Sequence, residues 1–514
     1  PGLHDLYKRP PYEGIVVKSD IEWKDVVALE THQLDLPGIS VQERPRRHYP
    51  HGRTAVHLRG YVGEVSEREL EKQDDARDIK QGDLIGKAGL ERIWDDELRG
   101  VVGGRQVEVD ALGRRVRVIE EVPDVPGDTL VLTLDLDLQE TAMRALGDQR
   151  GAIVAIDPNT GAILAMVSQP DYDPNLFARG ISTDEWRGLA DDPWHPLTNR
   201  AVQGQFAPGS IFKVAVAAGL LDSGTATRGT RQHCKGGVRF GKRTFHCWKR
   251  GGHGSVDLHR AIVQSCDVFF YETGRRLGVD GISRYARRFG LGAPTGVALP
   301  FEAGGLIPSK AWKQRRFGQP WMAGETLSVA IGQGYVTVTP IQMANMAAMM
   351  ANGGTHYRPQ YVQRVEAPDG TVRRVIEPEV LGHAGVPADV MARVRDGMRD
   401  VVMAPGGTGR RAQVEGVTVA GKTGTAQVVR LRKNRRGTIP VRERDHAWFI
   451  AFAPVDAPEI AVAVLAEYAG GGGGRIAAPV AGAVMTHYFS RMLGPQRPTE
   501  AKADAGRSQT AHTL

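Results

Sequence analysis

The segment Pro208-Gly209-Ser210-Ile211-Phe212-Lys213 carries a serine and a lysine three residues apart. Proline and glycine end the preceding segment, so Ser210 is predicted in the first turn of a helix that continues to Leu221. Unpaired amide N–H groups in that turn favour negative charge beside the hydroxyl. Lys213 would lie on the same helix face, where a buried amine could act as a base. Taken alone, the tetrapeptide is also typical of an N-cap serine followed by an exposed lysine.

Two more motifs follow in the chain. Ser265-Cys266-Asp267 follows 55 residues after Ser210, within a predicted helical stretch over residues 261–277, and Lys422-Thr423-Gly424-Thr425 lies in a strand-like segment. Serine-x-x-lysine, then serine-aspartate-asparagine, then lysine-threonine-glycine form the active-serine set of penicillin-recognising enzymes. Each motif is weak alone, but their common order favours an active site around Ser210.

Over most of its length the chain resembles a class B penicillin-binding protein, a peptidoglycan D,D-transpeptidase. Within that family it is most similar to the elongation-specific branch. The stretches that carry the resemblance outside the three motifs are RHYPHG (47–52), GYVG (60–63), GKAGLE (86–91), TLDLDLQ (133–139), AIGQG (330–334) and VTP (338–340).

The predicted fold class is α+β. Apolar runs flank the turn segments 157–161 and 454–458, which predicts two β-hairpins with helical stretches between them. The resemblance implies a β-lactamase-like transpeptidase domain, an antiparallel sheet flanked by helices, at 128–493. It also implies a β-rich pedestal for interaction or dimerisation at 1–127, which lacks its first part. The polar segment 494–514 is predicted to be a disordered tail.

The resemblance implies acyl transfer in two steps. Ser210 would attack the carbonyl between two terminal D-alanines, and an amine of a neighbouring stem peptide would then take the acyl group. Lys213 is the predicted base. Ser265 would pass a proton between Lys213, Lys422 and the leaving amine.

The Lys422 strand is predicted to bind the substrate. Lys422, Thr423 and Thr425 would hold its terminal carboxylate, and Gly424 would let its backbone approach closely. By family analogy, the N–H groups of Ser210 and Thr425 would form the oxyanion hole.

The second motif departs from the family pattern, because Asp267 stands where the family usually has asparagine. A carboxylate beside Lys213 would stabilise the ammonium form, which works against a base. Lys422 could share the negative charge of Asp267. The substitution therefore affects which lysine carries a proton, and Ser210 remains the predicted nucleophile.

The three cysteines of the chain fall in one segment with a histidine, as Cys234, Cys247, His253 and Cys266. Three thiolates and an imidazole suit tetrahedral zinc. The spacing is equally compatible with a Cys234–Cys247 disulfide and a buried Cys266. Other histidines compete with His253 as ligands, namely His233, His246 and His259. The resemblance favours structural zinc, because elongation-specific members carry metal ligands in the second motif and in a Gly-His-Gly.

Composition limits the other functions. An excess of 66 Lys and Arg over 59 Asp and Glu, net +7, suits an anionic substrate, and without clustering it predicts no nucleic-acid partner. The basic segment 430–444 is predicted to be a solvated loop that could meet anionic wall polymer, and the glycines at 470–474 a flexible loop or substrate lid.

Two other functions share these motifs. A serine β-lactamase would need a Glu-x-x-Leu-Asn segment to position its deacylating water, and none lies between Ser265 and Lys422. A non-catalytic sensor or scaffold for β-lactams or wall fragments could keep Ser210. About 127 residues before the transpeptidase domain are too few for a glycosyltransferase domain.

The resemblance also implies where the protein works. It implies the periplasmic part of a protein anchored in the inner membrane. Since no window of 18 apolar residues exists, we expect that anchor to be missing from this sequence. The implied ligands are stem peptides ending in D-Ala-D-Ala and β-lactams. The implied partners of residues 1–127 are a membrane glycan polymerase of the SEDS class and a rod-shape scaffold protein.

Overall fold

The structure is a computed structural model that describes residues 17–18, 21–36, 39–41, 46–72, 79–111, 115–428 and 439–493. The predicted tail at 494–514 lies outside these residues. The N-terminal part contains helices as well as the expected strands. Four of the five helices among its described residues have only four or five residues, which is too short to show a periodic apolar pattern in the sequence. Its elements are α1 Trp23–Thr31, α2 Val56–Arg59, β1 Val62–Glu64, α3 Glu67–Leu70, β2 Leu84–Gly86, α4 Gly89–Ile93, α5 Asp95–Arg99, β3 Gly104–Val109, β4 Arg115–Val122 and β5 Thr129–Leu132.

The remainder of the chain is larger and mixes helices with strands. Its elements are α6 Leu136–Leu146, β6 Gly151–Ile156, β7 Ile163–Gln169, α7 Asn175–Ala178, α8 Thr183–Ala190, α9 Lys213–Asp222, β8 Gln232–Cys234, β9 Gly237–Phe240, β10 Arg243–His246, β11 Gly254–Val256, α10 Leu258–Val263, α11 Asp267–Arg288, α12 Lys310–Phe317, α13 Ala323–Val329, α14 Pro340–Ala351, β12 Thr355–Tyr357, β13 Val362–Glu366, β14 Val372–Val375, β15 Val380–His383, α15 Ala388–Met403, β16 Ala420–Ala426, β17 His446–Ala453, β18 Ile460–Ala466 and α16 Ala477–Leu493.

A five-stranded antiparallel sheet in the order β16-β17-β18-β6-β7 organises this larger part. Strands β17 and β18 are buried along their whole length, so they are continuous apolar runs. Helices α14 and α16 pack against the sheet, and α15 packs against β16. The two predicted hairpins are β6–β7 and β17–β18, and the α+β fold class is confirmed.

The predicted helix over 261–277 is wrong in one respect. The structure has two helices, α10 and α11, with a break between them at Ser265 and Cys266. The apolar pattern continues through the break because residues on both sides of it are buried. Among the described residues, no helix has the length and hydropathy needed to cross a membrane.

The N-terminal part and the larger part are joined by direct contacts. Strand β5 pairs with β13 of the larger part. Tyr49 N–H donates to Asn175 Oδ1 at 3.0 Å, and Asn175 Nδ2 donates back to the Tyr49 carbonyl at 3.1 Å. The Asn199 amide also donates to the His57 carbonyl at 3.1 Å. The strand pairing and the side-chain contacts therefore hold the two parts together.

Candidate active site and metal centre

Ser210 lies in a short 3-10 turn, Gly209–Phe212, that leads directly into α9. Gly209 has φ +57°, and a Cβ at that position would lie 2.5 Å from the Thr425 carbonyl oxygen. Its N–H donates to the Gly332 carbonyl at 2.9 Å. The close approach and the left-handed backbone both require glycine here. The turn that presents Ser210 is therefore packed directly against the end of β16.

Lys213 is the first residue of α9 and is fully buried. Its ammonium donates to Asp267 Oδ1 at 2.6 Å, to the Ser265 carbonyl at 3.1 Å and to Ser265 Oγ at 3.4 Å. Within the described part of the chain, none of its hydrogen bonds goes to Ser210. The structure thus brings Lys213 together with the second motif, and it pairs the amine with the unusual carboxylate.

Ser265 occupies the break between α10 and α11 with φ +53°. A left-handed backbone at a residue other than glycine costs about 1–3 kcal/mol and is typical of functional sites. The Ser265 N–H donates to the Ile262 carbonyl at 3.2 Å, and the Cys266 N–H donates to the Ala261 carbonyl at 3.0 Å. These bonds hold the Ser265 hydroxyl between the two lysines.

Lys422 extends from β16 and is also fully buried. Its Nζ lies 2.9 Å from Ser265 Oγ and 3.0 Å from the Thr423 carbonyl oxygen. Burial lowers the pKa of Lys422 well below its usual range, the charge of Lys213 lowers it further, and the Asp267 carboxylate opposes both effects. Of the two lysines, Lys422 therefore has the environment that favours the neutral amine.

The rest of the third motif lies where β16 meets the nucleophile turn. Thr423 Oγ1 is 2.8 Å from Thr408 Oγ1, and Thr425 is exposed at the end of the strand. A Cβ at Gly424 would lie 3.0 Å from Ile211 Cγ2 and 3.0 Å from the Pro208 carbonyl oxygen. At Gly424 it is thus the nucleophile turn that packs closely against the backbone. Contact between this residue and the substrate stays a prediction.

The four predicted metal ligands come together at the second motif, which contains one of them, Cys266. The ligand atoms of Cys234, Cys247, His253 and Cys266 lie within 4.8 Å of one another, and all four residues are buried. The cysteines are free, so the alternative of a Cys234–Cys247 disulfide is wrong in this structure. The pairing of β8 with β11 brings the first cysteine and the histidine together. The competing histidines at 233, 246 and 259 are not part of the cluster.

The distances within the cluster are compatible with a tetrahedral metal ion. His253 Nδ1 lies 3.6 Å from the sulfurs of both Cys234 and Cys247. Ordinary Zn–S and Zn–N bonds at a tetrahedral angle separate sulfur from nitrogen by about 3.6 Å. Burial lowers the pKa of His253, which favours the neutral imidazole that binds metal. The hydrogen bond between the two thiols lowers the pKa of Cys247 and raises that of Cys266, so without a metal the thiolate form is favoured at Cys247 alone of this pair.

Three residues of the site were not predicted from the sequence. The Trp248 N–H donates to Asp267 Oδ2 at 2.9 Å, and its indole N–H donates to the Ser265 carbonyl at 3.1 Å. The Gln333 amide donates to the Thr425 carbonyl at 3.4 Å. Thr408 is the third, through its contact with Thr423. Proximity to Cys247 is the one sequence signal that could have singled out Trp248.

The loop of five glycines lies against the third motif. The Gly473 N–H donates to the Gly424 carbonyl at 3.2 Å. A Cβ at Gly473 would lie 2.0 Å from the Trp448 carbonyl oxygen, so close packing requires glycine there. Most of the basic segment 430–444 falls outside the described residues. In its described part, Arg442 donates to the Pro193 carbonyl at 3.3 Å.

A serine on a tight turn, two buried lysines and a bridging serine define the class of active-site-serine enzymes that recognise penicillin. The family model "Penicillin binding protein transpeptidase domain" matches residues 151–486, and "Penicillin-binding Protein dimerisation domain" matches residues 3–132. The chain belongs to the penicillin-binding protein transpeptidase family. The resemblance stated from the motifs is confirmed, and the chain is a serine-type D,D-transpeptidase.

Curated relatives agree with this family. The chain is 38% identical to peptidoglycan D,D-transpeptidase MrdA of Acinetobacter baumannii, over 96% of this chain and 74% of the relative. It is 35% identical to the protein of the same name from Escherichia coli K12, over 96% of this chain and 78% of the relative. Both alignments extend over the N-terminal part as well as the transpeptidase part.

Solved structures of PBP2 proteins are also similar. PBP2 of Pseudomonas aeruginosa, in complex with WCK 5153, matches with a TM-score of 0.73 and 38% identity, over 87% of this chain and 92% of that one. PBP2 of Helicobacter pylori, in a complex with MreC, matches with a TM-score of 0.79 and 31% identity, over 92% of this chain and 84% of that one. The predicted assignment to the elongation-specific branch is thereby confirmed.

Proposed function

We propose that the chain cross-links peptidoglycan during cell elongation through an acyl-enzyme on Ser210. The observation that carries this proposal is the position of Ser265 Oγ, 3.4 Å from Lys213 Nζ and 2.9 Å from Lys422 Nζ. A hydroxyl between two amines can move a proton from one to the other. The Ser210 oxygen attacks the D-Ala-D-Ala carbonyl, and the amine of D-alanine leaves with the proton taken from Ser210. The amine of a second stem peptide then takes the acyl group, and the proton that it loses returns to the Ser210 oxygen.

The two lysines have different roles in proton transfer because their environments differ. Lys213 rests as an ammonium against Asp267, while burial and the charge of Lys213 favour a neutral Lys422. Lys213 passes its proton through the Ser265 hydroxyl to Lys422. The neutral Lys213 then accepts the proton of Ser210 as the new bond forms, and Lys422 becomes the cation that favours a nearby substrate carboxylate.

The end of β16 supplies the remaining groups. The hydroxyls of Thr423 and Thr425 are proposed to hold the terminal carboxylate of the substrate. The N–H groups of Ser210 and Thr425 form the oxyanion hole, where loss of one donor typically costs about 3–4 kcal/mol of transition-state stabilisation. Since the nucleophile turn packs on β16, both N–H groups belong to one rigid unit.

Incubation with a penicillin, followed by intact mass over hours, tests this function. We expect a stable adduct that maps to Ser210 and is absent from the Ser210→Ala variant. An adduct that disappears as the drug is turned over would instead indicate a β-lactamase. Turnover of a stem-peptide substrate then separates an enzyme from a non-catalytic sensor, which would form the adduct but transfer no acyl group.

The rate of acylation is expected to rise with pH and to level off below the pH at which an ordinary lysine titrates. The lowered pKa of Lys422 makes its neutral, proton-accepting form available above that lowered value. Asp267 opposes the lowering, so Asp267→Asn should move the midpoint of the profile to lower pH. The rate of adduct formation over a pH series measures both profiles, and an unchanged midpoint in the variant would contradict the assignment.

We further propose that Cys234, Cys247, His253 and Cys266 hold a structural zinc ion. Four protein ligands leave no open coordination position. The ion would therefore hold the surrounding chain segments together and take no part in the acyl transfer. Cys266 directly precedes Asp267, and Cys247 directly precedes Trp248, whose N–H donates to the same carboxylate. The cluster therefore fixes the segment that presents Ser265 from two sides.

Removal of one ligand tests the metal proposal. Cys234→Ser should lower the zinc content of the purified protein, its midpoint of thermal unfolding and its rate of acylation. Cys234 is suitable because it lies on β8, outside the second motif. The matched control is His246→Ala, an exposed histidine outside the cluster, which should retain the metal. A zinc-free protein with wild-type thermal stability would refute the structural role.

We also propose that the chain acts in the periplasm as part of an inner-membrane protein, with partners on residues 1–127. Support comes from relatives: the PBP2 of H. pylori forms a complex with MreC, and another similar structure is of a peptidoglycan synthase complex. The proposed partners here are a rod-shape scaffold protein and a glycan polymerase of the SEDS class. A pull-down of each proposed partner by the whole chain, compared with a chain that lacks residues 1–127, would test both.

A further inference from the structure

A cluster of four aromatic rings lies at the surface beside the active site, and the proposed reaction does not use it. Tyr335 is its centre, with the ring centroids of Trp312, Phe317 and Trp321 at 5.1, 5.8 and 6.3 Å. Phe317 is 49% exposed, and the other three rings are half-buried. We call these four residues the aromatic platform. A cluster of partly exposed rings next to a reaction site is a candidate binding surface.

The platform is rigid because a partly buried ion pair fixes the two helices beneath it. Lys313 of α12 donates to both carboxylate oxygens of Glu325 of α13, at 2.6 and 2.7 Å, and its side chain is almost fully buried. The Tyr335 hydroxyl donates to the same carboxylate at 3.4 Å, and the Trp321 indole N–H donates to Thr326 Oγ1 at 2.8 Å. Rings held in one arrangement need little ordering when a ligand binds.

A short stretch of chain connects the platform to the catalytic groups. Tyr335 follows Gln333 by two residues, a span of at most about 7 Å. The Gln333 amide donates to the Thr425 carbonyl, and the Gly332 carbonyl accepts from the N–H of Gly209, next to the nucleophile. A substrate anchored at Ser210 would therefore have the platform within reach of the groups attached to its stem peptide.

We propose that the aromatic platform binds the glycan strand that carries the stem peptide, a role that rests on the proposed function. The faces of the rings can stack on the C–H faces of pyranose sugars. Helix α12, KAWKQRRF, carries four Lys or Arg and no acidic residue. Its exposed Arg315 and Arg316 complement the carboxylates of stem peptides.

A protein partner fits this surface less well. Charged residues are depleted from the core of protein interfaces, yet the exposed Arg315 and Arg316 of α12 stand in the sequence between Trp312 and Phe317. A neutral sugar chain with anionic peptides attached matches both the rings and the cations. The platform thus provides affinity for the polymer, whereas Ser210 and β16 provide recognition of the peptide end.

Binding to isolated glycan strands tests the proposal. The probe is uncross-linked strands from which an amidase has removed the stem peptides, in a co-sedimentation assay. We expect Phe317→Ala and Trp312→Ala to bind about tenfold more weakly than the wild type, equivalent to about 1.4 kcal/mol. Phe317→Tyr should restore binding. Phe301→Ala is the matched control, since Phe301 is 74% exposed and lies outside the platform.

Penicillin acylation distinguishes failure of this proposal from failure of the proposed function. Both platform variants should form the Ser210 adduct at the wild-type rate, because the proposed acylation uses Ser210, the two lysines and β16 and none of the rings. Wild-type affinity of both variants for stripped strands would overturn the proposal. Weaker binding only to strands that retain their peptides would also overturn it, and would assign the platform to the peptide.

Discussion

Replacement of Lys213 by methionine is expected to slow penicillin acylation about 10²–10⁴-fold, the usual contribution of a general base. The same change should lower the free energy of unfolding by about 3–5 kcal/mol, since it leaves the buried Asp267 carboxylate without the cation 2.6 Å away. Methionine keeps the length and the apolar stem of the side chain, so packing is largely preserved. Intact mass measures the acylation rate, and urea denaturation measures stability.

The double variant Lys213→Met/Asp267→Asn separates the two losses. A neutral asparagine no longer needs a cation, and its carbonyl can still accept from the Trp248 N–H. Most of the stability should return while acylation stays slow. If the single variant unfolded at the same urea concentration as the wild type, the buried ion pair would not contribute to stability as described.

Gly209→Ala is expected to slow acylation by at least about 100-fold, even though it removes no catalytic side chain. The new Cβ would lie 2.5 Å from the Thr425 carbonyl oxygen, and that oxygen belongs to the backbone of β16 and cannot rotate away. The nucleophile turn must therefore move, and a displacement of about 1 Å in an active site can cost about 10²-fold in rate. The rate of Ser210 adduct formation is the measurement.

Gly241→Ala is the matched control for this change. Gly241 has φ +58°, close to that of Gly209, but nothing lies within 4 Å of its would-be Cβ. It therefore carries the same backbone strain without the clash. Equal effects of the two substitutions on acylation would show that strain alone, rather than the contact between the turn and β16, controls the position of Ser210.

The parts of the fold that depend on local pattern could be predicted from the sequence. Both hairpins of the central sheet and the helix after Ser210 follow from apolar runs and turn residues close together in the chain. The break at Ser265 could not be predicted, because its left-handed backbone is held by hydrogen bonds to α10 that a linear pattern does not contain.

For the active site, too, the sequence identified the residues but not the contacts between distant parts of the chain. The three motifs identified its residues, yet the bridging position of Ser265 depends on a contact with Lys422 across 157 residues. The metal cluster has no closely spaced pair of cysteines, so its assembly depends on the pairing of β8 with β11. Trp248 and the aromatic platform were missed because their roles are set by tertiary neighbours rather than by residue type.

Strand β5 has a practical consequence for dividing the chain. It precedes the match to the transpeptidase family model, which begins at residue 151. The dimerisation family model, which ends at residue 132, includes it, yet it is hydrogen-bonded to β13. A recombinant fragment that begins after residue 132 would lose this donated strand and leave one side of β13 with open N–H and C=O groups. An open sheet edge recruits other chains, so such a fragment would be prone to aggregate, and one that begins before Thr129 would not.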